Sequence, residues 1–367
     1  MGRRSTVGIP IRVLCVFSSL NRGGAETMCM NLYRNINREN VQFDFIKHTE
    51  DHCAFEEEII ALGGRIYTAP KFKGYNLLAY MNWWSRHFLE HPEHRIVHGH
   101  YYTVSALYFT VAHKINRITI GHSHSTQQNG PVLSLILKKV LRQFVGYTSD
   151  YCLACSTEAG KWLFPRREFQ LLHNAISVEN YRFDSDIRTS MREELGLQDQ
   201  LVLGTVGSIK TVKNPFGLVD IFAAVKRRIP DARLLWVGDG ELRSAVQEKL
   251  KEHGLRSSVI FTGVRSDVNR LLQAMDVFLL PSFSEGLPVV TVEAQSAGLP
   301  CLISDVVSRE AAITDLCTFL PYSKPELWAD AVQTLELNRK DTRAEVIKAG
   351  YDIRTTAKWL EGFYVNL

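Results

Sequence analysis

The residues best suited to chemistry lie in one run, Pro281 to Pro300. An apolar stretch, Val277 to Leu280, stops at Pro281, and a short polar loop follows that carries an acid, Glu285, and Gly286. Pro288 suits the first turn of a helix, where its missing N–H would have no partner in any case. The helix runs to Gly298 as its C-terminal cap, and Pro300 forbids its continuation. The free N–H groups at such a helix start bind anions, phosphates especially. Glu285 sits at the mouth and Glu293 within the first turns. Anion donors beside carboxylates suit a ligand that carries both phosphates and sugar hydroxyls.

The elements that must hold this run repeat along the chain. Short apolar strand patterns occur at 11–17, 41–47, 65–69, 96–100, 118–122 and 151–156, with helical spacing at 25–36, 54–62, 76–90, 103–114 and 132–145. Residues 173–190 are polar and irregular and form the best linker candidate. The alternation then restarts, with strands at 201–207, 233–237, 258–262, 277–280 and 301–303 and helices at 214–229, 240–253, 267–274 and 288–297. Strands alternating with helices predict an α/β chain with parallel, doubly wound sheets. The expected organisation is a Rossmann-like domain over 1–175, a second over 176–350, and an aromatic helical tail over 351–367. Ligands are expected in a cleft at the carboxyl ends of the strands.

Glu285-Gly-x-Pro-x4-Glu293-Ala-x3-Gly298-x-Pro300 resembles the E-x7-E signature of the retaining glycosyltransferases of family 4, which have the GT-B fold. The resemblance covers nearly the whole chain. Arg22-Gly23-Gly24-Ala25-Glu26 is similar to the family's glycine-rich first loop. Val97-His98-Gly99-His100 and His122-Ser123-His124-Ser125-Thr126 resemble its N-domain histidine segments. His173-Asn174-Ala175-Ile176 resembles its linker signal, Val206-Gly207 through Lys213-Asn214 its phosphate-binding stretch, and Val237-Gly238-Asp239-Gly240 follows in the usual order. The N-terminal and His-Ser-His segments are common in exopolysaccharide and capsule enzymes. The resemblance implies transfer of a sugar from a nucleotide-sugar, UDP-linked as is commonest in the family, to a growing, lipid-linked or oligosaccharide acceptor. It implies no metal ion or other cofactor, and a tail that crosses back onto the first domain.

Read through that resemblance, Lys213 neutralises the diphosphate leaving group, because cleavage of the sugar–phosphate bond puts charge on the leaving oxygen. Asn214 and Gly238 belong to the same donor site, as do Pro288 and the backbone N–H groups of Gly286 and Leu287. Glu285 contacts the donor sugar or its phosphate, and Glu293 grips the two ribose hydroxyls, since one carboxylate can accept both. The family usually has an arginine one residue after Gly207, where this chain has Ser208, with Lys210 two places on. Either Lys210 or another cation compensates, or donor affinity is reduced. Gly23 and Gly24 allow close backbone approach to a ligand, and the helix after them offers its start to a phosphate. One of His122 and His124 hydrogen-bonds the transferred sugar, and strand alternation puts both on one face without choosing between them. His98 and His100 read as core or acceptor-side residues. A zinc site built from the four histidines is a rival reading.

Composition narrows the remainder. No run of 18 apolar residues exists. Met1-Gly2 invites a myristoylation reading, with Ser5 one place early for that pattern. Seven cysteines at irregular spacing suggest a reducing cytoplasm, and Cys152-x-x-Cys155 reads as two buried thiols. Residues 1–170 hold 20 basic against 13 acidic side chains, the rest of the chain 23 against 26. The basic first half fits an anionic partner such as a lipid diphosphate or the inner membrane surface, with the protein peripheral on the cytoplasmic side. Lys71, Lys73 and Tyr75, followed by Tyr80, Trp83 and Trp84, mix cations with aromatics, which suits a membrane interface or a plain core. No nucleic-acid motif occurs. Asp184-Ser185-Asp186 reads as solvated loop, not a metal pair. The rival functions are a sugar-nucleotide epimerase of the same fold and a non-catalytic nucleotide-sugar-binding subunit.

Overall fold

The computed structural model describes residues 9–124 and 132–367, the side chains of 132–135 and 137 excepted. Met1-Gly2 and Ser5, and Ser125-Thr126 at the end of the second histidine segment, lie outside the described residues. The chain divides into two compact units. Residues 1–175 with 353–367 form one, and 176–352 the other.

The first unit is built on a seven-stranded sheet: β1 Ile11–Val16, β2 Val41–Lys47, β3 Ile66–Thr68, β4 Ile96–Gly99, β5 Ile118–Ser123, β6 Tyr151–Ala154 and β7 Gln170–Leu171. Their order is β3-β2-β1-β4-β5-β6-β7, and every pairing is parallel. Both faces are covered, so the central strands are apolar throughout rather than alternating. Val13 and Cys15 of β1 pack under the helix Gly24–Asn35, with Met28 and Leu32. Leu14 and Val16 face the other way, onto Tyr80, Trp84 and Phe88 of the helix Leu77–Glu90. The terminal helix, Ile353–Val365, buries Ile353, Ala357, Leu360 and Tyr364 in the first of these layers. Their spacing puts them on one helix face.

The second unit repeats the plan with six strands: β8 Val202–Val206, β9 Arg233–Val237, β10 Val259–Gly263, β11 Val277–Leu280, β12 Cys301–Ser304 and β13 Cys317–Leu320. The order is β10-β9-β8-β11-β12-β13, again parallel. Leu203, Leu234 and Leu279 pack on Leu218, Phe222 and Trp328 on one face. Val202, Leu235, Phe278 and Ile303 pack on Leu271, Ala294 and Ala297 on the other.

Several expectations need correction. The strands β7 and β13 escape the sequence reading; each is at a sheet edge and short, and exposure on one side weakens the apolar signal. The expected linker is partly ordered structure. Asp184 accepts the N–H groups of Asp186 and Ile187 at 2.9 and 3.0 Å, so it caps the helix Ser185–Glu194 rather than sitting in a solvated loop. Tyr80 and Trp84 are buried core, which removes them from any membrane surface, while Lys71, Lys73 and Tyr75 stay exposed. Cys152 and Cys155 are buried and are not joined in a disulfide. Among the described residues no helix is long and apolar enough to cross a membrane.

One buried amide organises the loop beyond the helix Val289–Ser296. Gln295 Nε2 donates to Thr291 O at 2.9 Å and Ala311 O at 2.8 Å. Its Oε1 accepts from the N–H groups of Ile313 and Thr314 and from the Thr314 hydroxyl, at 2.9, 3.0 and 3.0 Å. Gln295→Leu keeps the volume but strands a buried carbonyl and two N–H groups. It is expected to lower stability by about 3 kcal/mol, read as a drop in urea midpoint at unchanged slope; an unchanged midpoint would show the loop to be held by other contacts.

Candidate active site

In the second unit the loops that leave adjacent strands lock together. Gly207 follows β8 with φ +152° and its N–H donates to Val237 O at 2.9 Å. Gly238 follows β9 with φ +127°, and a β-carbon there would strike the Gly207 carbonyl. Glycine is therefore required by both dihedral and space. Ile209 N–H then donates to Asp239 O and Leu242 N–H to Ile209 O, at 3.0 and 3.2 Å. Asn214 adopts the left-handed conformation, φ 51°, and caps the helix Pro215–Arg228 by accepting the Gly217 N–H at 3.1 Å. Its Nδ2 donates to Pro281 O at 3.1 Å, so both ends of this amide serve the unit itself.

That bond ties the loop after β8 to the loop after β11, and Phe283 N–H reinforces it by donating to Val212 O at 2.9 Å. The result brings Lys213 and Glu285 together. Lys213 Nζ donates to Glu285 Oε1 at 2.5 Å, and Ser282 Oγ donates to the same oxygen at 2.7 Å. The two side chains are only 24% and 14% exposed, so the pair is poorly screened by water. The helix Val289–Ser296 begins just beyond, and no side chain among the described residues caps its start, Pro288. Gly286 is exposed with open space beside it, Leu287 is half-buried and Pro288 is buried. Glu293 is half-buried and accepts the Tyr181 hydroxyl at 2.7 Å. Burial raises its carboxyl above the usual range, against the opposing pull of the Tyr181 bond. Ser208 and Lys210 are both exposed. A cation that is bonded into these loops is Arg243, through Asp239 Oδ2 at 2.6 Å.

In the first unit four imidazoles gather at the ends of β4 and β5. His98 Nε2 meets His122 Nδ1 at 3.2 Å, and His100 Nδ1 meets His124 Nε2 at 2.8 Å. The His98 and His100 rings stack at 4.2 Å, and the His122 and His124 centroids are 4.1 Å apart. Phe17 stacks on His100 at 4.3 Å, and Tyr364 Oη lies 2.5 Å from His98 Nδ1. Burial pushes His98 and His124 down to about 3, and holds His100 and His122 well below the usual value. All four rings are therefore neutral near pH 7. Donor atoms of His98, His100 and His122 lie within 4.8 Å of one another, as do those of Cys15, Cys29 and His100, so either trio has the atoms for a soft cation. The stacked rings and their mutual hydrogen bonds already use part of that capacity.

The glycine loop departs from expectation. Gly23 caps the helix Gly24–Asn35, but a β-carbon on Gly23 would fall on the Glu26 carboxylate. The helix start thus carries the chain's own anion, and burial raises that carboxyl. A phosphate there would have to displace it. Sequence reasoning also missed Tyr181, which lay in the expected linker, and Tyr364, visible only as one aromatic of the tail.

The sequence relationships now bear on this geometry. Residues 22–179 match the family model described as Glycosyltransferase Family 4, and 187–353 the model described as Glycosyl transferases group 1. EpsF of Bacillus subtilis (strain 168) is 33% identical over 372 residues, which cover 96% of each chain. The chain belongs to glycosyltransferase family 4. Over 143 residues, 38% of this family 4 chain, it is 31% identical to the Escherichia coli UDP-Gal:alpha-D-GlcNAc-diphosphoundecaprenol alpha-1,3-galactosyltransferase, covering 37% of that protein. The crystal structure of Anabaena Alr3699/HepE in complex with UDP superposes with a TM-score of 0.80 at 16% identity, over 97% of this chain and 100% of that one. The fold of this glycosyltransferase is GT-B, two Rossmann-like domains with parallel sheets.

The histidine cluster makes stability depend on pH. Unfolded histidines take up protons below about 6.5, while the folded cluster stays neutral down to about 3 for His98 and His124. The unfolded state therefore binds more protons across that window, and stability falls as pH falls through it. The melting temperature is expected to drop steadily from pH 7 to pH 5; a flat profile would contradict neutral, buried imidazoles.

Proposed function

We propose that this glycosyltransferase moves a sugar, with retention of configuration, from a UDP-sugar to a growing lipid-linked glycan in exopolysaccharide or capsule synthesis. The observation that carries the reading is the Lys213–Glu285 pair beside an uncapped helix start, with Glu293 within the same helix. A diphosphate suits this arrangement. It can take Lys213 from Glu285 and the free N–H groups at the helix start, while Glu293 turns from Tyr181 to the ribose hydroxyls. As the sugar–phosphate bond breaks, charge grows on the leaving oxygen where these donors already point. The freed Glu285 contacts the sugar. Retention needs attack on the face the leaving group vacates, and the donor phosphate takes the acceptor's proton there. One of His122 and His124 hydrogen-bonds a sugar hydroxyl. Lys213 and the helix start supply the positive charge, so the reaction runs without a metal ion. Arg243 is the cation that compensates for Ser208. HepE's complex with UDP and the galactosyltransferase's UDP-Gal and diphosphoundecaprenol substrates support the donor and acceptor classes.

The site is tested by thermal stabilisation of the full chain with EDTA present, since a ligand of the native state raises its stability by mass action. UDP is expected to raise the melting temperature by several degrees, GDP and ADP not, and Lys213→Ala and Glu293→Ala each to abolish the shift. No shift with any nucleotide would contradict the donor site.

The acceptor's lipid places the enzyme at the cytoplasmic face of a membrane. The contact fits the helix Val132–Val145, where Ile136, Val140 and Phe144 recur every four residues and are 57%, 49% and 53% exposed. Tyr147, Arg166 and Arg167 share a cavity of about 290 Å³ with Phe144, and both arginines are exposed. An apolar ridge beside cations suits anionic lipid. Co-sedimentation with phosphatidylglycerol vesicles is expected, weakening at high salt, and Ile136→Glu with Phe144→Glu should cut it at least about tenfold. Equal binding by the double variant would exclude this helix.

A further inference from the structure

A count of protons in the first unit decides what the histidine cluster leaves open. Tyr364 is buried, 1% exposed, and burial raises its hydroxyl far above the usual value, so it keeps its proton. Its partner among the described residues is His98 Nδ1 at 2.5 Å. A buried O–H without an acceptor is costly, so the phenol donates and His98 Nδ1 is the bare, accepting nitrogen. His98 is neutral, so its proton is on Nε2. That N–H donates to His122 Nδ1 at 3.2 Å. His122 is neutral as well, so its own proton is on Nε2. His122 Nε2 is buried and has no hydrogen-bond partner among the described residues. The Leu172 backbone is a competing acceptor that also favours a proton on this ring.

The same count does not close for the second pair. His100 Nδ1 and His124 Nε2 face each other at 2.8 Å, and His100 Nε2 and His124 Nδ1 both lack partners among the described residues. Among the described residues no donor of fixed direction starts that chain, so the same count assigns no tautomer to this pair.

We infer that Tyr364 is a positioning residue: acting through His98, it fixes His122 as an Nε2–H donor for a ligand oxygen. The terminal helix thus sets a proton as well as completing the core. Of His122 and His124, His122 is the one with a defined direction, and a buried N–H takes an acceptor such as a sugar hydroxyl oxygen. The identity of that ligand rests on the proposed function. The tautomer does not.

The experiment is a two-bond proton–nitrogen correlation spectrum of the full chain labelled with ¹⁵N-histidine, near pH 7, with His122 assigned by its loss in His122→Gln. In the wild type His122 is expected as the Nε2–H tautomer. In Tyr364→Phe the chain of donors loses its start, and His122 is expected to shift to Nδ1–H or to a mixture. A wild-type His122 protonated on Nδ1, or a pattern unchanged by Tyr364→Phe, would overturn the inference. Should the phenylalanine variant not fold, the wild-type spectrum alone decides. As a second readout, Tyr364→Phe is expected to lower kcat about tenfold while UDP stabilises it as well as the wild type. A fall in UDP stabilisation matching the fall in kcat would point to a merely structural tyrosine. If the tautomer is as stated but no sugar is transferred, the proposed function fails and the relay stands.

Discussion

In a parallel sheet every strand ends at the same edge, and this constraint arranges the rest of the molecule. Each chain exit must turn there, next to the exits of its neighbours, so loops from distant sequence are forced into contact. In the second unit Gly207 and Gly238 make the turns after β8 and β9 without β-carbons in the way, and Asn214 bridges to Pro281 across the exits of β8 and β11. Lys213 and Glu285, 72 residues apart, meet because of it. In the first unit the exits of β4 and β5 bring His98 and His100 against His122 and His124 by the same rule.

Burial then imposes a second requirement, that each polar group have a partner before any ligand arrives. Lys213 has Glu285, Glu293 has Tyr181, and the helix start at Gly24 has Glu26. These contacts hold charges that would otherwise be costly to keep in poor contact with water. They also define what a ligand must offer, since it has to replace the partner it displaces. Under the proposed function, a nucleotide diphosphate would offer anionic oxygens to Lys213 and hydroxyls to Glu293. Among the described residues the histidine cluster is one exception, because its neutral rings tolerate unpartnered nitrogens better than charges would.

Much of this was legible in the sequence. Apolar runs such as Val41–Lys47 and Val277–Leu280 mark central strands because both sheet faces are covered, and the Pro288–Gly298 punctuation delimits a helix observed over Val289–Ser296. The E-x7-E spacing and the glycine turns identified the family. Edge strands β7 and β13 lacked that signal. So did the helix Ser185–Glu194, whose polar composition resembles a linker until Asp184 is seen capping it. Partners supplied from far along the chain were invisible for a different reason. Nothing near Glu293 announces Tyr181, and nothing near His98 announces Tyr364, because only folding brings them together. The aromatics Tyr80 and Trp84 show the converse, a sequence pattern that suited a membrane and is spent on the core.

Under the proposed function the Lys213–Glu285 pair gives way to a nucleotide diphosphate. A crystal structure of the full chain grown with UDP tests it most directly. Diphosphate oxygens are expected within hydrogen-bond reach of Lys213 Nζ and of the helix start after Pro288, with the Lys213–Glu285 contact opened and the ribose hydroxyls on Glu293. UDP bound elsewhere, with Lys213 still on Glu285 and Glu293 still on Tyr181, would contradict it.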